Sequence, residues 1–381
     1  MPKNARGRAL LITTDYPPDI GGLQTYAHRI AMSLPGGLLG AVLAGADGKR
    51  ALPPGAPGVA VFARRGRSRW RAFAWGLWSI PWFRLRHGNR ILLHMQWTTA
   101  LPSLALRILV PGTRYVILAH GAELLDPERR LVGMLKRMVL SRADAVVAGS
   151  RFTAEIVSQL GIHCRRLEVI PYGNPLEGRA APPASPGQGI PPVTSGPRLL
   201  CMHRLVPRKG TALLFEALAG IRDRPWGLDL VGRGEEEPLL RELAVRFRIQ
   251  DRVRFLAPVD EDAKMRLLRE AALFILPSLP PTRNNHVEGL GLTLLEAQSQ
   301  GLPVLAARTG GIPEAVHEGR TGVLFRAGDA GDLREKLEAM LATPEKLREM
   351  GKAGPDWVRE NFSWEKSLGK LAEVMREVAG S

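Results

Sequence analysis

Cysteine is nearly absent from this chain: Cys164 and Cys201 are the only two among 381 residues. Two isolated thiols build neither a disulfide framework nor a cysteine-rich zinc site, so a reducing cytoplasm is the expected compartment and no structural metal is expected. Long apolar runs are missing as well. The first apolar stretch is brief and meets Asp15, Pro17 and Pro18 at once, unlike a secretion signal, and the segment from Trp70 to Phe83 is broken by arginine and Pro81. Any membrane contact should therefore be peripheral, at the inner face of the membrane. Acid is scarce relative to base: 37 Asp and Glu against 53 Lys and Arg leave a net charge of +16. That balance favours an anionic partner, either a phosphate-rich ligand or an anionic lipid surface. Nucleic acid is not expected, because no recognition motif accompanies the charge.

What the chain does contain is a repeated strand, loop and helix. Arg8 to Thr14 reads as a short buried strand, followed by the turn Asp15-Tyr16-Pro17-Pro18 and then Gly21-Gly22. Leu23, Tyr26, Ala27, Ile30 and Leu34 follow at helical spacing. Strands are expected again at 90–95, 115–119, 145–148 and 167–170, with a helix from Thr153. Residues 178–197 lose this periodicity and are rich in Pro, Gly, Ala and Ser, as a linker would be. A second series begins at Arg198 and continues with strands at 227–231, 253–256, 273–276 and 303–306, ending in charged helices. The length suits two domains. The expected fold class is α/β, two Rossmann-like doubly wound domains facing a cleft, over 1–178 and 198–365 with the linker at 179–197.

The chemistry concentrates in two places. In Glu288-Gly289-Leu290-Gly291-Leu292-Thr293-Leu294-Leu295-Glu296, two acids frame a glycine turn that opens an apolar helix. The glycines allow close backbone approach, and the helix start offers unpaired N–H groups and a positive dipole end to a diphosphate. Glu288 could then reach sugar hydroxyls and Glu296 a ribose diol. Glu296 emerges from a largely apolar element and should have a partner. In His203-Arg204-Leu205-Val206-Pro207-Arg208-Lys209-Gly210, cations gather at the carboxyl end of a strand, where α/β sheets bind ligands. Gly232-Arg233-Gly234 lacks the third glycine and the acid of a dinucleotide fingerprint.

The acid-x7-acid spacing of Glu288 and Glu296 resembles the retaining glycosyltransferases of family 4, which have the GT-B fold. Gly301-Leu302-Pro303-Val304-Leu305-Ala306, Thr309-Gly310-Gly311-Ile312-Pro313-Glu314 and Gly319-Arg320-Thr321-Gly322-Val323-Leu324-Phe325 extend the likeness in the same order. The resemblance implies transfer of a sugar from a UDP- or GDP-linked donor to a saccharide or lipid-linked acceptor, in cell-envelope glycan or glycolipid synthesis. It implies retention at the anomeric carbon and no cofactor or metal. Arg204 and Lys209 match the family's basic pair on the donor diphosphate; His203 departs from it, standing where the family usually has glycine. Gly21 and Gly22 match its N-terminal glycine loop, His120 a position near the donor sugar, where it is expected among the catalytic residues with Arg204, Lys209 and Glu288, and Ser150 and Arg151 a less specific acceptor-side position. Gly232 matches the turn under the nucleotide and Val259 the place of the base, while Gly289, Leu290, Gly291 and Leu292 form the donor loop with Glu296. The last helix, 366–381, is expected to pack back on the first domain.

On the acceptor side, Arg64, Arg65, Arg67, Arg69 and Arg71 run into Trp70, Phe73, Trp75, Trp78, Trp82 and Phe83. The segment reads equally as an amphipathic helix lying on an anionic membrane and as a core helix with a solvated basic end. Two rivals stand beside the transferase: a UDP-sugar epimerase of the same general fold, and a non-catalytic nucleotide-sugar-binding protein.

Overall fold

The computed structural model describes residues 9–17, 21–46, 53–65, 79–82, 91–125, 130–179, 196–281 and 287–380. The chain divides into two compact units, Met1–Pro175 with Trp364–Ser381, and Leu176–Ser363. The linker expected at 179–197 lies almost wholly outside the described residues.

In the first unit, seven parallel strands lie in the order β3-β2-β1-β4-β5-β6-β7. They are β1 (Ala9–Thr13), β2 (Leu39–Ala46), β3 (Ala60–Arg65), β4 (Ile91–His94), β5 (Arg114–Ala119), β6 (Ala145–Ala148) and β7 (Leu167–Val169). β1, β4 and β6 are buried along their whole length, as strands covered on both faces must be, which explains their continuous apolar sequences. The helices are α1 (Gly22–Ser33), α2 (Leu101–Leu109), α3 (Ala122–Leu125), α4 (Arg130–Ser141) and α5 (Arg151–Gln159). The last helix, α12 (Trp364–Gly380), closes this unit. Trp364 Nε1 donates to the Asn174 carbonyl at 2.7 Å, and Arg114 Nη1 to the Val378 carbonyl at 2.6 Å. Gly173 sits against the Trp364 ring so closely that a Cβ there would lie 2.3 Å from it.

β2 and β3 are additions to the strands expected from sequence. Arg64 and Arg65 pair with Gly45 and Ala46 in the sheet. This corrects the expected start of a basic aromatic helix: those two residues are strand. Residues 79–82 are helical, with Ile80 buried and Trp82 half exposed. Arg67, Arg69, Arg71, Trp70, Phe73, Trp75, Trp78 and Phe83 lie outside the described residues.

The second unit has six parallel strands in the order β10-β9-β8-β11-β12-β13. They are β8 (Arg198–Met202), β9 (Gly227–Val231), β10 (Val253–Leu256), β11 (Leu273–Leu276), β12 (Val304–Arg308) and β13 (Gly322–Arg326). Its helices are α6 (Thr211–Ala219), α7 (Glu237–Arg246), α8 (Glu261–Glu270), α9 (Leu292–Ser299), α10 (Ala330–Leu341) and α11 (Pro344–Asn361). Trp226, Phe215, Leu214, Leu228, Leu305 and Phe325 anchor one apolar core. Asp229, almost fully buried in β9, is held by Arg198 at 2.8 Å and Arg254 at 2.7 Å. Removing either arginine would leave this buried carboxylate with a single cationic partner.

Each sheet reverses its strand order once, between β1 and β4 in the first unit and between β8 and β11 in the second. The loops at the carboxyl ends of strands flanking such a reversal are where open α/β sheets receive ligands.

Candidate functional site

Of the residues flagged in the second unit, Lys209 and Glu288 meet at the β8/β11 reversal, while Gly232 follows β9 and Val259 follows β10. β8 runs into His203 to Val206 and then a single 3-10 turn, Pro207–Lys209. Gly210 ends that turn at φ 70°, and a Cβ on it would lie 2.0 Å from the Pro277 carbonyl oxygen. Only glycine fits there, in conformation and in space. Leu279 N donates to the Arg208 carbonyl at 2.9 Å, so the turn is pinned to the chain leaving β11. Held this way, Lys209 is 8% exposed and its Nζ donates to Glu288 Oε2 at 2.5 Å. Arg208 Nη1 stands 3.6 Å from the same oxygen. Burial would raise the Glu288 carboxyl, but the Lys209 charge, its hydrogen bond and Arg208 outweigh it and hold the carboxyl below its ordinary value. Arg204 is exposed to solvent.

His203, the departure from the family's glycine, is accommodated by its neighbour. The close approach falls on Gly232 at the end of β9, where φ is 154° and a Cβ would lie 1.9 Å from the His203 carbonyl oxygen. The His203 ring is bound by its own strand end: Nδ1 donates to the Arg204 carbonyl at 3.0 Å, and Nε2 accepts from the Cys201 thiol at 3.0 Å. Burial and the nearby Lys209 charge push its pKa down to about 3, so it is neutral at physiological pH.

The acid loop is seated on a second pair of glycines. A Cβ on Gly310, at φ 56°, would lie 2.3 Å from the Glu288 carbonyl oxygen, and one on Gly311 would lie 1.9 Å from that of Gly289. Gly311 N donates to the Glu288 carbonyl at 3.0 Å. The Thr309-Gly310-Gly311 segment thus presses backbone on backbone and sets the height of Glu288. Leu290 is buried, Leu292 half-buried, and Gly291, at φ 85°, caps α9 with no side-chain acceptor. The first-turn N–H groups of α9 are therefore not taken by a capping side chain.

One turn further, Glu296 is buried and accepts from Lys264 Nζ at 2.8 Å; Lys264 also reaches Glu261 at 3.0 Å. Burial raises the Glu296 carboxyl more than the Lys264 charge lowers it. Lys264 went unnoticed in the sequence. Its only signal is a lysine three residues beyond Glu261 in an otherwise ordinary charged helix. Val259 is half-buried in the loop leaving β10. In the neighbouring Asp260-Glu261-Asp262, Asp260 is the α8 cap, accepting from Ala263 N at 2.8 Å, and Glu261 is shared with Lys264.

In the first unit, the flagged residues occupy a different chemistry. His120, at the end of β5, is buried, with both ring nitrogens engaged: Nε2 lies 2.6 Å from the Met95 carbonyl and Nδ1 2.6 Å from the Tyr172 hydroxyl. A carbonyl only accepts, so Nε2 carries the proton and Nδ1 accepts from Tyr172. Burial lowers the His120 pKa and keeps the ring neutral. Tyr26 packs edge-on against both His120 and Tyr172 and stacks on Trp364. Ser150 is fully buried and caps α5, accepting from Thr153 N at 3.1 Å, while Arg151 is exposed. Gly21 caps α1 in an extended conformation and Gly22 is its first residue, so neither glycine is demanded by a left-handed backbone. Between them and β4 lies a polar cluster that the motifs did not indicate: Asp15 accepts from Gln24 at 3.0 Å, Gln96 at 2.9 Å and Thr14 at 2.8 Å.

Two family descriptions match the chain. Glycosyl transferases group 1 covers residues 190–357, and Glycosyltransferase Family 4 covers residues 20–177. The chain belongs to glycosyltransferase family 4. The enzyme is 29% identical over 388 residues to the GDP-mannose-dependent alpha-(1-6)-phosphatidylinositol monomannoside mannosyltransferase of Mycobacterium tuberculosis, covering 97% of this chain and 98% of that one. It is 30% identical to the Mycolicibacterium smegmatis protein of the same name, over 69% and 70% of the two chains. Among solved structures, sucrose-phosphate synthase from Thermosynechococcus elongatus superposes with a TM-score of 0.85 at 20% identity, over 98% and 100% of the chains. The fold is GT-B, and the enzyme is a hexosyltransferase-type glycosyltransferase; the epimerase and the idle binding protein are not favoured.

Proposed function

We propose that this enzyme transfers a hexose, with retention, from a nucleoside diphosphate sugar to a lipid-linked acceptor of the cell envelope, working as a peripheral protein at the inner membrane face. The observation that carries the donor assignment is the partly buried Lys209–Glu288 contact of 2.5 Å at the β8/β11 reversal. It sets a cation and an acid beside each other at the start of α9, as a sugar diphosphate needs. The donor diphosphate is taken by Arg204, Lys209 and the first N–H groups of α9. Glu288 accepts from sugar hydroxyls, Glu296 from the ribose diol with Lys264 steadying it, and backbone groups about Gly232 and Val259 receive the nucleoside. As the anomeric C–O bond breaks, negative charge grows on the leaving phosphate oxygen, where Lys209 and Arg204 stabilise it. The same oxygen takes the proton of the acceptor hydroxyl, which attacks from the face the phosphate leaves. His120, with no free nitrogen, acts as a positioning residue.

The near full-length likeness to GDP-mannose-dependent enzymes supports GDP-mannose as donor and an inositol-phospholipid mannoside as acceptor class. Thermal shift with GDP-mannose, UDP-glucose and UDP-galactose tests the first point, and NMR of the product tests retention. GDP-mannose should give the largest shift and an α-linked product. A response to UDP sugars alone overturns the base, and no response to any of them overturns the donor site. Since cations and helix N–H groups meet the phosphate charge in this proposal, chelation with EDTA should leave turnover unchanged; loss restored by magnesium or manganese would refute that part.

A further inference from the structure

We infer that the outer face of α2 and α4 in the first unit is a docking surface for an anionic lipid bilayer. α2 ends in Ile108 and Leu109, 79% and 78% exposed, and α4 shows Leu131, Met134 and Met138 at 62%, 57% and 38%. Single exposed apolar residues mean little, but five long ones on two adjoining helices form a patch. Leu131, Met134 and Met138 fall at i, i+3 and i+7, one face of α4, while Lys136, Val139 and Leu140 turn inward. α2 and α4 connect β4 to β5 and β5 to β6, consecutive neighbours in the sheet, so right-handed crossovers lay both helices on the same side. Their carboxyl ends are tied: Arg107 of α2 donates to the Arg142 carbonyl at 2.8 Å and pairs with Asp144 at 2.9 Å.

The charge of this face selects its occupant. Arg130, Arg137 and Arg142 are exposed around the apolar residues, and neither helix contains an acid. A second copy of the chain docking symmetrically would set one arginine-bearing face against another, with no acid on either pair of helices to offset the charge. An anionic bilayer receives both parts: arginines at the headgroups, and Ile, Leu and Met side chains at the acyl boundary. The inference rests on the lipid-acceptor proposal for its purpose, although its test involves no transfer.

The test is sedimentation with vesicles of equal parts phosphatidylcholine and phosphatidylglycerol, and with phosphatidylcholine alone, at increasing salt. Wild-type enzyme should bind the anionic vesicles only and be released by salt. The triple variant Arg130→Ser, Arg137→Ser, Arg142→Ser should partition on the order of 100-fold more weakly. The quadruple variant Ile108→Ser, Leu109→Ser, Leu131→Ser, Met134→Ser should lose about 10-fold or more. All seven positions are exposed, so melting temperatures should stay near wild type. Three results overturn the docking face: wild-type protein that ignores anionic vesicles, variants that bind as wild type does because the anchor lies elsewhere, or variants that abolish a dimer instead. Transfer to a detergent-solubilised lipid acceptor is a separate measurement that the variants should not change. Its failure in wild type would overturn the acceptor proposal and leave the docking face standing.

Discussion

The carboxyl edges of the two sheets have the same topology and opposite chemistry. At the β8/β11 reversal, Lys209 with Arg208 meets Glu288, and Lys264 meets Glu296, all on charged side chains. At the β1/β4 reversal and the end of β5, the ties are between neutral groups or a single acid and amides: His120 with Tyr172 and Met95, and Asp15 with Gln24 and Gln96. An edge lined with cations suits a diphosphate. An edge of hydroxyl and amide groups, which both donate and accept, matches the hydroxyls of a neutral polyol, which do the same. Topology therefore decides where a ligand goes, and the side chains decide which ligand.

The sharpest way to break this contrast is Lys209→Met, because in the proposed transfer this cation acts on charge that grows only as the leaving group departs. Turnover should fall about 100-fold or more with a smaller change in KM. The variant should also lose stability, because it leaves the partly buried Glu288 with only Arg208 near it. The double variant Lys209→Met, Glu288→Gln separates the two: it should recover stability and remain inactive. Full turnover in the single variant removes the role assigned to Lys209.

On the neutral edge the matching change is Tyr172→Phe, which deletes the hydroxyl that His120 Nδ1 accepts from while keeping the ring against Tyr26. A buried acceptor left unsatisfied costs about 1–3 kcal/mol of stability. The affinity for nucleotide sugar, measured by thermal shift or calorimetry, should not change, while KM for the acceptor should rise. If donor affinity falls instead, the division of labour between the edges is wrong.

How much of this was legible differs along the same lines. The charged edge announced itself because Glu288, Glu296, Arg204 and Lys209 stand in spaced motifs beside glycines, and the glycines prove to be needed for fit at Gly210, Gly310 and Gly311. Lys264 stayed hidden because it reaches Glu296 across 32 positions from a helix with no distinguishing pattern. His120 could be placed at a strand end, but its partners Met95 and Tyr172 are 25 and 52 residues away, and the strand pattern does not specify such contacts. Of the strands, β1, β4, β5 and β6 were readable from their apolar runs. β2, of sequence LGAVLAGA, is diluted by glycine and alanine, which are poor strand formers, so pairing to β1 and β3 rather than propensity makes it a strand.

The smallest effect expected is on acid stability, and it separates Glu288 from the histidines by pH. Glu288 has a folded pKa below its ordinary 4.5, with burial opposing the shift and Lys209 and Arg208 producing it. Its stabilising contribution is therefore fully present above that value and is lost as pH falls through the lowered one, because the unfolded chain takes the proton first. Two histidines act earlier. His94 and His203 are pushed by burial from 6.5 to about 3, so the unfolded chain outcompetes the folded one for protons as soon as pH drops below 6.5. Denaturant unfolding of wild type should thus weaken in two stages, the first below 6.5 and the second below 4.5. Glu288→Gln removes a titrating group from the second stage alone. Its unfolding free energy should parallel wild type through the histidine window and decline less steeply beneath it. Parallel curves throughout would mean that the Lys209–Glu288 pair adds no more to the native state than an exposed ion pair does, and that the charged edge is not pre-formed.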